Sequence, residues 1–211
     1  VRLAAVTLSV LAVVGVARFA RASTCDDLVR AGRSMEASGD PDRALRAYND
    51  AIGLDPTCHD AYLRLGAIRE SRRDYREAER VYSLAIEHLP AARDAYVRRA
   101  SVRLLLGREE EGLGELRLLG ETDPTDDAGL HAALDALHRL DDWFAARDQI
   151  PARLGVWRRI AFLLEKGQDP RLADARAMVR ALALVVGPSD PVTNANGARG
   201  LRPLVARAAN R

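Results

Sequence analysis

Aromatic residues make up only 5% of this 211-residue chain, too few for a surface that works by stacking on bases. Lysine is almost missing. Lys166 is the single lysine among 32 basic side chains, and so one-sided a use of arginine reads as genome base composition rather than as a demand for guanidinium chemistry. Cysteine occurs twice, at Cys25 and Cys58, with no C-x-x-C. A spacing of 33 is not a zinc pattern. An even pair in an exported chain can form a disulfide; the other reading is two reduced, small apolar residues. Also lacking are G-x-S-x-G, a Gly-rich phosphate loop and H-E-x-x-H. His131 and His138 can share a helix face, but they are not read as metal ligands. Glu109-Glu110-Glu111 opens a helix, where the macrodipole favours acids, whereas calcium needs a looped array of oxygens. The chain therefore predicts no catalytic residue, no metal site and no cofactor.

Long apolar runs are also scarce. The one present covers residues 3–17, with Thr7 and Ser9 as mild interruptions, and Arg18 ends it. A spanning helix needs about 20 apolar residues. Arg2 before the run and Ala20-Arg21-Ala22 after it make the pattern of a secretory signal. We read residues 1–22 as a signal peptide cleaved after Ala22, or as a retained signal anchor. Either reading exports the rest, to the periplasm, the cell envelope or the medium, with membrane contact only through an uncleaved N-terminus. Without residues 1–22 the chain holds 29 basic and 30 acidic side chains, a net of −1. That gives no reason to expect nucleic acid as a partner.

What is present is a ruler. "CDDLVRAGRSMEASG" from Cys25, "HDAYLRLGAIRESRR" from His59 and "RDAYVRRASVRLLLG" from Arg93 begin 34 residues apart, and Pro56, Pro90 and Pro124 keep the same spacing. A fixed period in this range means stacked structural repeats. Counting each block from its first residue, place 4 holds Leu28, Tyr62 and Tyr96; place 8 holds Gly32, Gly66 and Ala100; place 20 holds Ala44, Ala78 and Gly112; place 24 holds Tyr48, Tyr82 and Leu116. Places 4, 7, 8 and 11 form one face of a helix. Gly39 and Gly107 suit the left-handed residue that ends a first helix, Asp40-Pro41 starts a second one, and Asp74…Glu77 resembles a capping box. Place 11, usually a large apolar residue, is Arg69 and Arg103; with Arg99 at place 7 and with Gly112, Gly114 and Gly120, the third of these blocks is predicted to be looser.

These places resemble the tetratricopeptide repeat (TPR), a helix–turn–helix unit of 34 residues. The resemblance implies an all-α fold, a right-handed superhelical solenoid of hairpins. We read repeats at 25–58, 59–92 and 93–126, a truncated repeat at 127–153 whose second helix is cut short by Pro151, a degenerate hairpin at 154–186, and a flexible basic tail at 187–211. In this family places 2, 5, 6, 9, 12 and 13 of the first helix line a concave groove. That implies a partner-binding set of Asp26, Val29, Arg30, Arg33, Asp60, Leu63, Arg64, Asp94, Val97, Arg98 and Ser101. Asp at place 2 and Arg at place 6 stand at i, i+4, the favourable order for pairing along a helix. They form either a row of weak surface pairs or a groove whose arginines grip carboxylates of a protein or peptide partner. The family's carboxylate clamp, Lys and Asn at places 5, 6 and 9, is not matched by Val29, Arg64 and Ala67.

The reading that follows is a non-enzymatic interaction scaffold of the cell envelope. Two alternatives stand beside it. One is a polysaccharide hydrolase, which would need two carboxylates facing across a cleft. The other is the repeat tail or an accessory subunit of a larger cell-wall-handling membrane enzyme.

Overall fold

The computed structural model describes residues 24–187. The signal or anchor read at 1–22, and all of the tail beyond Gly187, lie outside the described residues. Nine α-helices and no strand occur among the described residues. They are α1 (Cys25–Ala37), α2 (Pro41–Leu54), α3 (His59–Ser71), α4 (Tyr75–His88), α5 (Arg93–Leu105), α6 (Glu109–Glu121), α7 (Asp127–Ala145), α8 (Ile150–Lys166) and α9 (Leu172–Val186). Each helix packs against its neighbour in sequence, so the chain is an all-α solenoid of hairpins. In addition α1 reaches α3 and α5 reaches α7, while the second helices make no comparable contact with one another. In the repeat family that the sequence resembles, the first helices form the inner, concave side.

Local chemistry sets the helix ends. Thr24 caps α1 by accepting from the Asp27 amide at 3.2 Å, and the Asp27 carboxylate accepts in return from the Thr24 amide. Asp40 accepts from the Arg43 amide at 3.1 Å, and Pro41 occupies the first turn of α2. Gly39 and Gly107 turn the chain at φ 78° and 77°, and at the same place of the second hairpin Arg73 is held at φ 62° without glycine's freedom. The expected capping box at Asp74…Glu77 does not form: Asp74 makes no side-chain cap. Its carboxylate lies 3.6 Å from Arg69 instead, and Glu77 pairs with Arg80.

Beyond the third hairpin the 34-residue plan changes. Helix α7 runs unbroken from Asp127 to Ala145, through the places where a repeat would turn. Of the truncated repeat read at 127–153, residues 127–145 are thus one long helix and residues 150–153 already belong to α8. Pro151 does not cut a helix short but sits in the first turn of α8, where its missing N–H costs nothing. The last hairpin consequently begins at Ile150 rather than at residue 154.

Two large apolar cores fill the stack. One gathers Val29, Tyr48, Tyr62, Leu65 and their neighbours from the first two hairpins; the other runs from Val97 through α7 and α8 to Ala175. Between them, bridged by Ala78, Tyr82 and Val102, lies a polar belt. Arg103 on α5 reaches Glu79 on α4 at 2.8 Å and Glu115 on α6 at 3.1 Å, and Arg99 also grips Glu115. Arg108 closes the belt by reaching Glu79 and Glu111. Arg99 and Glu115 are only 16% and 10% exposed. Arg99 and Arg103, which predicted a loose third repeat, are therefore the ties of α5 to α4 and α6. Deeper in the second core, Arg159 of α8 is 4% exposed and donates to the carbonyls of Gly120, Glu121 and Thr122 and to the Asp123 carboxylate. It thereby satisfies the last carbonyls of α6 from another helix, and sets its charge where the macrodipole favours a cation.

Candidate functional site

The concave face is built on α1, α3 and α5, and its floor repeats. In each of the first two hairpins the buried tyrosine at place 24 crosses under the first helix and donates to a glutamate at place 12: Tyr48 to Glu36 and Tyr82 to Glu70. The crossing requires glycine at place 8. A Cβ on Gly32 or Gly66 would stand 2.4 Å from the tyrosine ring. The third hairpin replaces all three partners, with Ala100, Leu104 and Leu116. Burial, then the hydrogen bond and charge of Glu36, push the Tyr48 hydroxyl above its ordinary range, while the positive charges of Arg64 and Arg33 act the other way. Burial and Glu70 do the same to Tyr82, opposed by Arg98 and Arg139. Arginines thus lie within electrostatic reach of each tyrosine–glutamate pair.

The i, i+4 ladder of Asp and Arg does not form. Arg30 turns to the Asp27 carboxylate and the Asp26 carbonyl. The aspartates at place 2 of later repeats serve instead as ties to the preceding repeat. Asp60 accepts from Arg33, and Asp94 lies 2.8 Å from His59 Nε2. Hydrogen bonding to Asp94 raises the His59 pKa against the effect of burial. For Asp94 burial acts upward, but bonds from His59 and the Ala95 amide prevail and lower it. A third tie, Arg93 to Asp126 at 2.9 Å, joins α5 to the start of α7. With the aspartates engaged across repeats, Arg64 and Arg98 are left without an ion pair among the described residues, Arg64 exposed and Arg98 half-buried.

Place 5 is a correction. Val29 and Val97 are 4% and 0% exposed, so they belong to the cores and cannot line an open groove. Leu63 is half-buried against both neighbouring clusters. Ser101 bonds the Val97 carbonyl at 2.8 Å and accepts from Arg139 of α7 at 2.9 Å. The residues the sequence reading missed are Glu36, Glu70, His59 and Arg139. For the glutamates a signal existed: Gly, Glu and Tyr occur together at places 8, 12 and 24 of two repeats and disappear together from the third.

One covalent tie fixes the first two hairpins. Cys25 and Cys58 are disulfide-bonded, with Cα atoms 6.0 Å apart. The turn that brings Cys58 to the start of α1 is held by Asp55, whose carboxylate accepts from the amide and hydroxyl of Thr57 at 2.8 and 2.7 Å. Among the described residues no group of His, Cys, Asp or Glu is arranged to hold a metal ion, and no helix is long and apolar enough to cross a membrane.

Residues 26–68, covering most of α1 through α3, match the tetratricopeptide repeat family. The 34-residue periodicity and the helical hairpins continue through α6. No curated protein matches the chain. Among solved structures, a double mutant of MamA RS-1 is similar at 18% identity, with a TM-score of 0.45, over 79% of this chain and 97% of that one. YrrB, described as a TPR protein with an unusual peptide-binding site, is similar at 15% identity, with a TM-score of 0.45, over 88% and 91%. Likenesses of this size say nothing about a shared partner.

Proposed function

We propose that this chain is an exported, non-catalytic scaffold that holds an extended acidic segment of a partner protein along the concave face of its hairpins. The observation that carries the reading is the pair Arg64 and Arg98. They stand on consecutive repeats at the same helical place, with their neighbouring aspartates already engaged elsewhere. A guanidinium with no ion pair offers a planar fork suited to a carboxylate. The floor of the face, with Tyr48 and Tyr82 locked by glutamates, is pre-organised, so little ordering cost falls on binding. Export is supported by the signal-like residues 1–22 and by the Cys25–Cys58 bond, since disulfides persist in oxidising compartments.

A blocked decapeptide of alternating glutamate and serine, titrated into isotopically labelled protein, tests the reading by amide chemical shifts. Shifts should cluster on α3 and α5 around Arg64 and Arg98. Shifts confined to the outer faces of α2 and α4, or equal shifts with a lysine–serine decapeptide, would contradict it.

A further inference from the structure

A second recess lies among α5, α6 and α7, and none of the groove residues named above lines it. It encloses about 510 Å³, within the range of pockets that take small or side-chain-sized ligands. Its occupant can be read from the repeat next door. In the second hairpin His88, at place 30, stacks on Tyr62, at place 4, with ring centroids 6.2 Å apart. In the third hairpin place 4 is again tyrosine, Tyr96, but place 30 is Thr122. The place-22 arginine, Arg80, is replaced by Gly114. Tyr96, Gly114 and Thr122 all line the recess, and α7 faces it with the small residues Gly129, Ala132 and Ala133. Among the described residues no ring stacks on Tyr96; only the Arg99 guanidinium approaches it, at 5.3 Å. The recess is thus where the stacking ring of the second hairpin has no counterpart in the third.

Its charges point the same way. The lining holds two cations, Arg93 and Arg103, and two anions, Glu115 and Asp123. Arg93 is engaged by Asp126, and Arg103 by Glu79 and Glu115. The lining is formally neutral and its cations are already paired, so a neutral ring fits where a charged group would not. We propose that this recess is a docking slot for an aromatic side chain of a partner protein, which stacks on Tyr96 as His88 stacks on Tyr62. The chain's own C-terminal residues 188–211 contain no aromatic ring and no histidine, so they cannot supply it.

Blocked tripeptides Gly-Trp-Gly and Gly-Leu-Gly, titrated into the isotopically labelled full chain, test the slot. Gly-Trp-Gly should shift the amides of Gly114, Leu118 and Gly129 saturably, with at least fivefold higher affinity than Gly-Leu-Gly. Thr122→His, which rebuilds the ring seen at His88, should weaken Gly-Trp-Gly at least tenfold. Thr122→Val, which removes the Thr122 hydroxyl bond to the Leu118 carbonyl without adding a ring, should leave affinity within twofold, and both variants should keep the wild-type circular dichroism. Equal binding of the two tripeptides, shifts that ignore the recess, or binding that survives Thr122→His would overturn the slot. Sedimentation adds one more check: a dimer of the wild-type chain dispersed by Thr122→His would show that a second copy, not a partner protein, fills the recess.

Discussion

Replacing Gly66 by alanine adds one methyl group to the middle of α3, and two effects of opposite sign decide the result. Alanine is preferred to glycine in a helix interior by about 1 kcal/mol. Against this, a Cβ on Gly66 would lie 2.4 Å from Cε1 and Cζ of Tyr82 and 2.8 Å from its hydroxyl. The ring has no room to retreat, because Tyr82 is fully buried and its hydroxyl is tied to Glu70. Overpacking of this kind costs about 1–3 kcal/mol, and here the backbone of a packed helix must move. The steric cost wins, with a net loss of up to about 2 kcal/mol and a fall in Tm of about 2–4 °C for each kcal/mol. Gly53 is the matched control: it lies in α2 with nothing within 4 Å of an added Cβ. Gly53→Ala should therefore stabilise by about 0.5–1 kcal/mol. The third repeat, with Ala100 over Leu116, indicates the compensation. Gly66→Ala should cost much less in a Tyr82→Leu background, a coupling of about 1 kcal/mol or more. Thermal and urea unfolding followed by circular dichroism give all of these values. Shifts of equal size and the same sign for Gly66→Ala and Gly53→Ala would refute the packing of Tyr82 beneath α3.

Three further outcomes follow from the same structure. Arg159→Met keeps the apolar stem but leaves the last carbonyls of α6 without their buried donor, and calorimetry should show a loss of about 3 kcal/mol; a loss below about 1 kcal/mol would mean that water replaces the guanidinium. Cys25→Ala with Cys58→Ala opens a loop closed across a sequence separation of 33, and the chain-entropy account puts the loss at about 4 kcal/mol, read from urea midpoints of the oxidised wild type and the variant. For His59 and Asp94, the raised histidine pKa gives stability that is full below the unfolded value near about 6.5 and is lost as pH rises through the folded value. The lowered Asp94 pKa gives stability lost as pH falls below about 4. The difference in Tm between wild type and His59→Gln should thus be largest between about pH 4 and pH 6.5 and shrink as pH rises through the raised histidine pKa, and it should correspond to under about 1 kcal/mol because both side chains are partly exposed.

The period alone carries most of the fold of the first three hairpins, because each place answers to one packing role. Gly32 and Gly66 lie under tyrosine rings, Ala44 and Ala78 are fully buried, and Gly39 and Gly107 turn the chain. Legibility fails where a role is filled by residues far apart in sequence. Arg159 looks like any of the 31 arginines until α8 is laid against the end of α6. The aspartates at place 2 suggest pairing along their own helices, since the i, i+4 neighbour is all that a single repeat displays; stacking supplies Arg33 and His59 from the repeat before. Val29 and Val97 were misplaced in the groove because the family rule for place 5 ignores how deeply a small β-branched side chain sinks between first helices. The continuous helix α7 is not legible in the sequence because its apolar spacing through Leu134, Leu137 and Leu140 fits one long helix as well as a hairpin whose turn lacks glycine.

The central claim is that the concave arginines hold carboxylates, and the most direct measurement is the affinity of the glutamate–serine decapeptide for wild type and for Arg64→Gln with Arg98→Gln, by calorimetry at low and physiological salt. Each lost charge-assisted hydrogen bond is worth about 1.5–3 kcal/mol, or roughly tenfold or more in affinity. The double variant should bind at least a hundredfold more weakly with its Tm unchanged, and the wild-type affinity should fall modestly with salt, since a recessed face is screened less than a rim. Arg43→Gln with Arg46→Gln, on the exposed side of α2, should change little. Equal affinities for wild type and the Arg64/Arg98 variant, or a larger loss from the α2 pair, would contradict the account.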